Sequence, residues 1–359
     1  MKVLHVINTL QPAGAEILLS VIAPALKSEG FDVEIATLFR YPTRSLYEAL
    51  VRADITIHSF DFSFRYSPRI RRALKTLIDS GGYDIVHAHL FPALYWTALC
   101  RPRVGKLIVS EHSSYNTRRS SVLFRAAERF VYKKYDKVFC ISNGVKTALA
   151  RWLPECAGKM VTVYNGIELE KFRAARPVSR ADLGVPAQAP VACMVSRIDL
   201  KIKDHKTVIE SAAALDDLHV LFVGGGEGMQ DLRSFARERN VADRVHFLGY
   251  RSDIPSVLKA SDVYVHSSNW EGFGLAVVEA MAGGVPVVAS DVEGLNEVVQ
   301  NGTSGLLFKK GDPADLARNI GLVLSDVALR DRLKAGGDAR ARDFSVETTV
   351  SRFIEEYGS

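Results

Sequence analysis

Thirteen short runs rich in branched apolar residues alternate with helical segments along the 359 residues, and this alternation restricts the chain to parallel sheets covered by helices on both faces. Strands are predicted near 3–8, 32–38, 54–58, 84–88, 106–110, 137–141 and 160–164. A second series follows near 191–196, 219–223, 244–248, 262–266, 285–289 and 305–308. The length exceeds what one hydrophobic core fills, so two α/β domains with a cleft between them are expected, at 1–167 and 191–344. Residues 168–190 carry three prolines and no strand pattern, which reads as a linker.

Composition excludes several classes. With 47% hydrophobic and 24% charged residues the chain is globular, neither disordered nor fibrous. Four cysteines stand without a C-x-x-C pair or histidines at zinc spacing, which fits a reducing cytosol. Met1-Lys2 and the apolar run after it imitate a signal peptide, but His5, Asn8 and Thr9 interrupt it, and a buried first strand fits better. Glu279 and Pro286 break the most apolar stretch, so no bilayer span is expected. Residues 1–160 hold 23 Lys and Arg against 13 Asp and Glu, and the remainder 23 against 28. The basic first half suits either a solvated surface or an approach to an anionic membrane or a phosphate-bearing acceptor. The basic residues form no recognisable nucleic-acid module.

Ligands of open α/β sheets bind beyond the carboxyl ends of the strands, where loops and helix N-termini offer N–H donors. Glu271-Gly272-Phe273-Gly274-Leu275-Ala276-Val277-Val278-Glu279 follows a predicted strand in this way. A helix starting near Gly274 would carry Glu279 about one turn inside, leave Glu271 at its mouth, and aim the N–H groups of Phe273, Gly274 and Leu275 at an anion. Carboxylates suit sugar and ribose diols. Both glutamates could equally be surface carboxylates at a helix start.

This segment resembles the E-x7-E motif of retaining glycosyltransferases of family 4, which have the GT-B fold of two Rossmann-like domains facing each other. Ala280-Met281-Ala282-Gly283-Gly284-Val285-Pro286, Gly294 with Glu297, Asn301-Gly302, Asn165-Gly166-Ile167 and Ser142-Asn143-Gly144-Val145 extend the resemblance over nearly the whole chain. It implies that Glu271 touches the donor sugar and Glu279 the nucleotide ribose. It also implies that the C-terminal helix, 345–359, completes the first domain.

Arg197 and a lysine after the strand 191–196 would match the family's two cations for the diphosphate leaving group, with no metal needed. The stretch between them is one residue longer than the family pattern, so either Lys203 or Lys201 is the match. Gly14 stands where the family commonly has two glycines; here the first place is Ala13. His112, in Ser110-Glu111-His112-Ser113-Ser114, matches a histidine that faces the donor sugar. Gly225 and Tyr250 match segments near the nucleotide. His87 and His89 could be drawn as a metal pair, but the family carries this look without a metal. No Asp-x-Asp triplet occurs, which argues against the metal-bound diphosphate site of the other main glycosyltransferase fold.

The expected activity is metal-independent transfer, with retention, from a nucleotide sugar to a saccharide or lipid-linked acceptor, UDP being the family's habit. No cofactor and no nucleic-acid partner are expected. Phe60–Tyr66 with Arg69–Lys75, and a second set at Arg118, Arg119, Arg125, Arg129, Lys133 and Lys134, are candidate contacts to an anionic membrane, which would place the enzyme on the inner membrane face. An amphipathic helix with its charged side in water is the plainer alternative. Rival functions are an epimerase or phosphorylase of the same fold and a non-catalytic sensor. A nicotinamide dehydrogenase would want G-x-G-x-x-G after the first strand, which residues 9–16 lack.

Overall fold

Runs such as Val3-Leu4-His5-Val6-Ile7, wholly buried, can be satisfied only as central strands with a covered surface on each side. The computed structural model describes residues 1–41, 43, 45–100 and 103–359, the side chain of Thr117 excepted. It forms two compact units, Met1–Gly166 with Val346–Ser359, and Ile167–Ser345.

The first unit has a parallel sheet of β1 (Lys2–Ile7), β2 (Asp32–Phe39), β3 (Thr56–Phe62), β4 (Ile85–His89), β5 (Lys106–Glu111), β6 (Lys137–Cys140) and β7 (Met160–Thr162). Their order is β3-β2-β1-β4-β5-β6-β7. The direction of winding reverses between β1 and β4. Helix Val346–Gly358 is bound to this sheet because it carries its own aromatic side: Phe353 and Tyr357 pack on Phe139, with ring centroids 5.2 and 6.1 Å away. Lys137 pairs with Glu356 at 2.6 Å and secures the helix end.

The second unit has a parallel sheet of β8 (Val191–Val195), β9 (His219–Val223), β10 (Val245–Gly249), β11 (Val263–His266), β12 (Val287–Ser290) and β13 (Leu306–Phe308) in the order β10-β9-β8-β11-β12-β13. Both units are therefore doubly wound α/β sheets.

Residues 168–190, expected to be a linker, belong to the second unit. The reason is apolar burial: Phe172, Leu183 and Val185 are at most 5% exposed, and helix Leu169–Arg173 packs on helix Leu275–Ala282. Strand β3 runs on to Phe62, so Phe60 and Phe62 lie half-buried in the sheet, and only Phe64 and Tyr66 of that aromatic set are exposed.

Candidate functional site

In the second unit the loop after β8 is bound to the loop after β11 by backbone. The Asp204 N–H donates to Ser267 at 3.0 Å, the Asn269 N–H to Ile202 at 2.8 Å, and Lys203 pairs with Ser268 as an antiparallel bridge. The extra residue of the first loop is absorbed in a turn, where Ile202 and Lys203 both donate to the Asp199 carbonyl. Lys201 stays exposed, while Lys203 turns inward and its ammonium meets the Glu271 carboxylate, His266 Nε2 at 2.9 Å and Ser268 Oγ at 3.2 Å.

His266 also lies 3.0 Å from Glu271 and is held from behind by the Tyr264 hydroxyl at 2.9 Å. Burial alone would raise the Glu271 carboxyl, but the Lys203 charge and the His266 bond outweigh it and hold the group well below the usual carboxylate range. Burial first and the Lys203 charge second lower His266 from the usual histidine range, against the pull of Glu271.

Three residues on, Gly274 caps helix Leu275–Ala282 with φ +98°. A Cβ there would lie 2.6 Å from Leu295, so glycine is required by both conformation and space. The Phe273 side chain is core, packed edge-on against Phe344, which leaves its backbone as the part that can serve the helix mouth together with Gly274 and Leu275. Glu279 lies in the second turn; burial, opposed by Lys171, pushes its carboxyl up to about 7. Two carboxyl groups eight residues apart are thus held in opposite states, Glu271 ionised and Glu279 on the edge of neutrality.

Arg197 is exposed on the same loop as Lys203. Its backbone is pressed against the glycine run after β9: the Ile198 N–H donates to Gly225 at 2.9 Å, and a Cβ at Gly224 or Gly226 would lie 2.1 Å from a carbonyl oxygen of this loop. Gly225 backs onto the ring of Tyr250, which is 76% exposed. Arg197, Lys203, Gly225, Tyr250, Glu271, Gly274 and Glu279 therefore all belong to one unit and to loops or helix starts beyond its strand ends. Neither His266 nor Ser268 was singled out from sequence. The available signal was the position of His266 at a strand end, two residues after Tyr264 and on the same face.

In the first unit Gly14 opens helix Gly14–Ser28, and a Cβ there would meet nothing within 4 Å, so packing does not demand glycine. His112 follows β5 and is half-buried, and burial lowers it to about 4. Behind it lies a row of imidazoles: His112 Nε2 is 3.4 Å from His89 Nδ1, and His89 Nε2 is 3.0 Å from His5 Nδ1. His5, His87 and His89 bring three ring nitrogens within 4.8 Å of one another, a grouping with the dimensions of a metal site that sequence suggested only for His87 and His89. Most of their ring nitrogens are already bonded, while His5 Nε2 is buried without a partner among the described residues. His87 uses both nitrogens, on Tyr357 at 2.7 Å and Ser110 at 2.8 Å, and burial lowers all three well below the usual histidine range. A metal would have to displace those partners.

The basic surface is smaller than the sequence suggests. Arg118 turns to buried Glu128 at 3.0 Å, and Arg119 to Glu111 at 3.5 Å and the Ser114 carbonyl at 2.7 Å, because both acids would otherwise be buried unpaired. Arg125, Arg129, Lys133 and Lys134 stay on or next to helix Val122–Tyr132, beside Val122 and Leu123, which are 82% and 84% exposed. Among the described residues no helix is long and apolar enough to cross a membrane.

Comparison with known proteins shows the family and the fold. Residues 12–171 match the family described as Glycosyltransferase Family 4, and residues 175–340 the family described as Glycosyl transferases group 1. The chain is 29% identical over 304 residues to an Escherichia coli UDP-Gal:alpha-D-GlcNAc-diphosphoundecaprenol alpha-1,3-galactosyltransferase, covering 79% of this chain and 78% of that protein. It is 31% identical over 307 residues to a D-inositol 3-phosphate glycosyltransferase of Nocardia farcinica, covering 78% and 67%. In fold it is similar to Anabaena HepE, solved in complex with UDP and glucose, with a TM-score of 0.86 at 24% identity over 100% of this chain and 99% of that one. The lipopolysaccharide glycosyltransferase WaaG aligns with a TM-score of 0.76 at 14% identity, covering 99% of each chain. The chain belongs to the family 4 glycosyltransferases, enzymes of GT-B fold.

Proposed function

We propose that the enzyme transfers a hexosyl or N-acetylhexosaminyl group from a UDP-sugar, with retention and without a metal, to a phosphate-bearing saccharide or lipid-linked acceptor in surface glycoconjugate synthesis. The observation that carries this reading is the Lys203, His266 and Glu271 cluster at the mouth of helix Leu275–Ala282. It supplies a cation for a departing diphosphate beside a carboxylate for sugar hydroxyls.

Charge grows on the diphosphate as the glycosidic bond breaks. Arg197 and Lys203 stabilise it, and the helix N-terminus adds N–H donors and its dipole. Such fixed cations do for the leaving group what a divalent ion does elsewhere. Glu279, poised near neutrality, can both accept from and donate to a ribose diol. Glu271 positions the donor sugar. In the first unit His112, kept neutral by burial, offers a hydrogen bond suited to a sugar hydroxyl. Gly14, which no internal contact requires, leaves the first unit's backbone open to close approach by a phosphate. The acceptor class is supported by relatives whose names specify a diphosphoundecaprenol, an inositol 3-phosphate or a phosphatidyl-myo-inositol.

The test is nucleotide release across a panel of nucleotide sugars, with a glycosyl phosphate as acceptor and with EDTA present. Acceptor-dependent UDP release that survives chelation, and is lost in Glu271→Ala, is expected. Conversion of the donor without nucleotide release would identify an epimerase. Dependence on added divalent metal would overturn the metal-free part.

A further inference from the structure

Neighbouring strands of the first sheet bring its histidines into line. His5 on β1 and His87 on β4 are register partners, and His89 lies two residues further along the same face of β4. β5 is the next strand, and the chain leaves it at His112. From that loop inward, His112 Nε2 meets His89 Nδ1 at 3.4 Å, and His89 Nε2 meets His5 Nδ1 at 3.0 Å. His87 stands beside this row, stacked on His89 with ring centroids 4.4 Å apart, and spends its own nitrogens on Tyr357 and Ser110. His5 and His89 are at most 2% exposed, and burial keeps all three rings of the row neutral at pH 7.

Neutral imidazoles bonded in a row are not independent. Each has one N–H and one bare nitrogen, so a ring that donates on one side must accept on the other. The two contacts therefore run in one sense. Either all three rings carry hydrogen on Nδ1 and the bonds point outward from His5 to His112, or all three carry it on Nε2 and the bonds point inward. The inner end decides. His5 Nε2 is buried and has no partner among the described residues. A hydrogen there would be an orphaned buried donor, a kind of group that folded chains rarely leave unpaired, whereas a hydrogen on Nδ1 is used on His89.

We infer that His5 and His89 are positioning residues that hold the hydrogen of His112 on Nδ1, the nitrogen turned away from the row, so that His112 meets a ligand as a hydrogen-bond donor. Its other nitrogen receives the N–H of His89, which leaves the ring no lone pair with which to take up a proton. His112 is thereby suited to donate to a sugar oxygen and unsuited to act as a general base towards a hydroxyl. This rests on the proposed reading of His112 as a partner for a sugar and adds the sense of that bond.

Nitrogen NMR of the whole chain, isotopically labelled in its histidine rings, tests this without any ligand, because the protonated and bare nitrogens of a neutral imidazole resonate far apart. His112→Asn and His5→Leu identify the two rings by the signals they remove. Wild type is expected to carry hydrogen on Nδ1 in both His5 and His112. In His5→Leu, which keeps an apolar bulk in β1, the His112 signals should move towards a mixture of the two forms, and turnover should fall about tenfold while UDP binds as in wild type. Hydrogen on Nε2 of His112 in wild type overturns the inference. So do His112 signals that stay in place in a folded His5→Leu protein, since His5 would then only pack. Should His5→Leu not fold, the tautomer of His112 in wild type decides by itself. Wild type with these tautomers but no nucleotide release would count against the proposed transfer and in favour of the row.

Discussion

The ammonium of Lys203 is set directly against the carboxylate of Glu271, with the ring of His266 touching both. The side chains of Lys203 and Glu271 are only 14% and 18% exposed, so each charge depends on the other. Removing one partner of such a pair leaves a buried, uncompensated ion. Lys203→Met is expected to cost about 2–4 kcal/mol in urea unfolding, and adding Glu271→Gln should restore part of it. Independent losses in the double mutant would show that the two charges are not coupled.

Glu279 gives a pH dependence of opposite sign to that of Glu271. Its folded value, about 7, lies above its unfolded one, so its contribution is fully present below the unfolded pKa and is lost as pH rises through 7. Glu279→Gln should therefore flatten the stability profile between about pH 4.5 and 7, and should exceed wild type at pH 8 by about 1–3 kcal/mol. Glu271, lowered in the folded state, stabilises above its unfolded pKa and ceases to do so only as acid protonates it. Parallel wild-type and Gln profiles would show that Glu279 is not the buried group described.

Gly274→Ala combines a left-handed backbone with a methyl group 2.6 Å from Leu295. A loss of about 1–3 kcal/mol is expected, measurable as a lower Tm. Leu295→Ala in the same chain should relieve the contact but not the backbone strain, so rescue should be partial. Full rescue would mean that φ carries no cost here.

Val122 and Leu123, exposed beside Arg125, Arg129 and Lys133, are the strongest membrane candidate. Sedimentation with anionic vesicles at low salt should exceed that with neutral vesicles and fall in Leu123→Glu. Equal binding to both vesicle types would remove this surface as a lipid contact.

Strand positions and the glycine turn were legible because they depend on local pattern: buried branched runs alternate with amphipathic helices, and Gly274 marks a backbone only glycine adopts readily. The inward turn of Lys203 was not legible, since it depends on how the loop folds between Asp199 and Ile202 and on pairing with Ser268, far away in sequence. His5 joined His87 and His89 for the same reason, through the β1–β4 pairing. Arg118 and Arg119 looked like surface charge because spacing does not reveal that Glu128 and Glu111 are buried beside them.

Arg197 offers the most direct test, because it is exposed and its loss should leave the fold intact. Calorimetry of UDP binding to wild type and Arg197→Ala, with turnover measured alongside, addresses the donor site itself. The account predicts UDP binding to wild type and turnover lowered by about 10²–10³ in the variant, with weaker UDP affinity and an unchanged Tm. Equal affinity and equal turnover in a folded Arg197→Ala protein would contradict it.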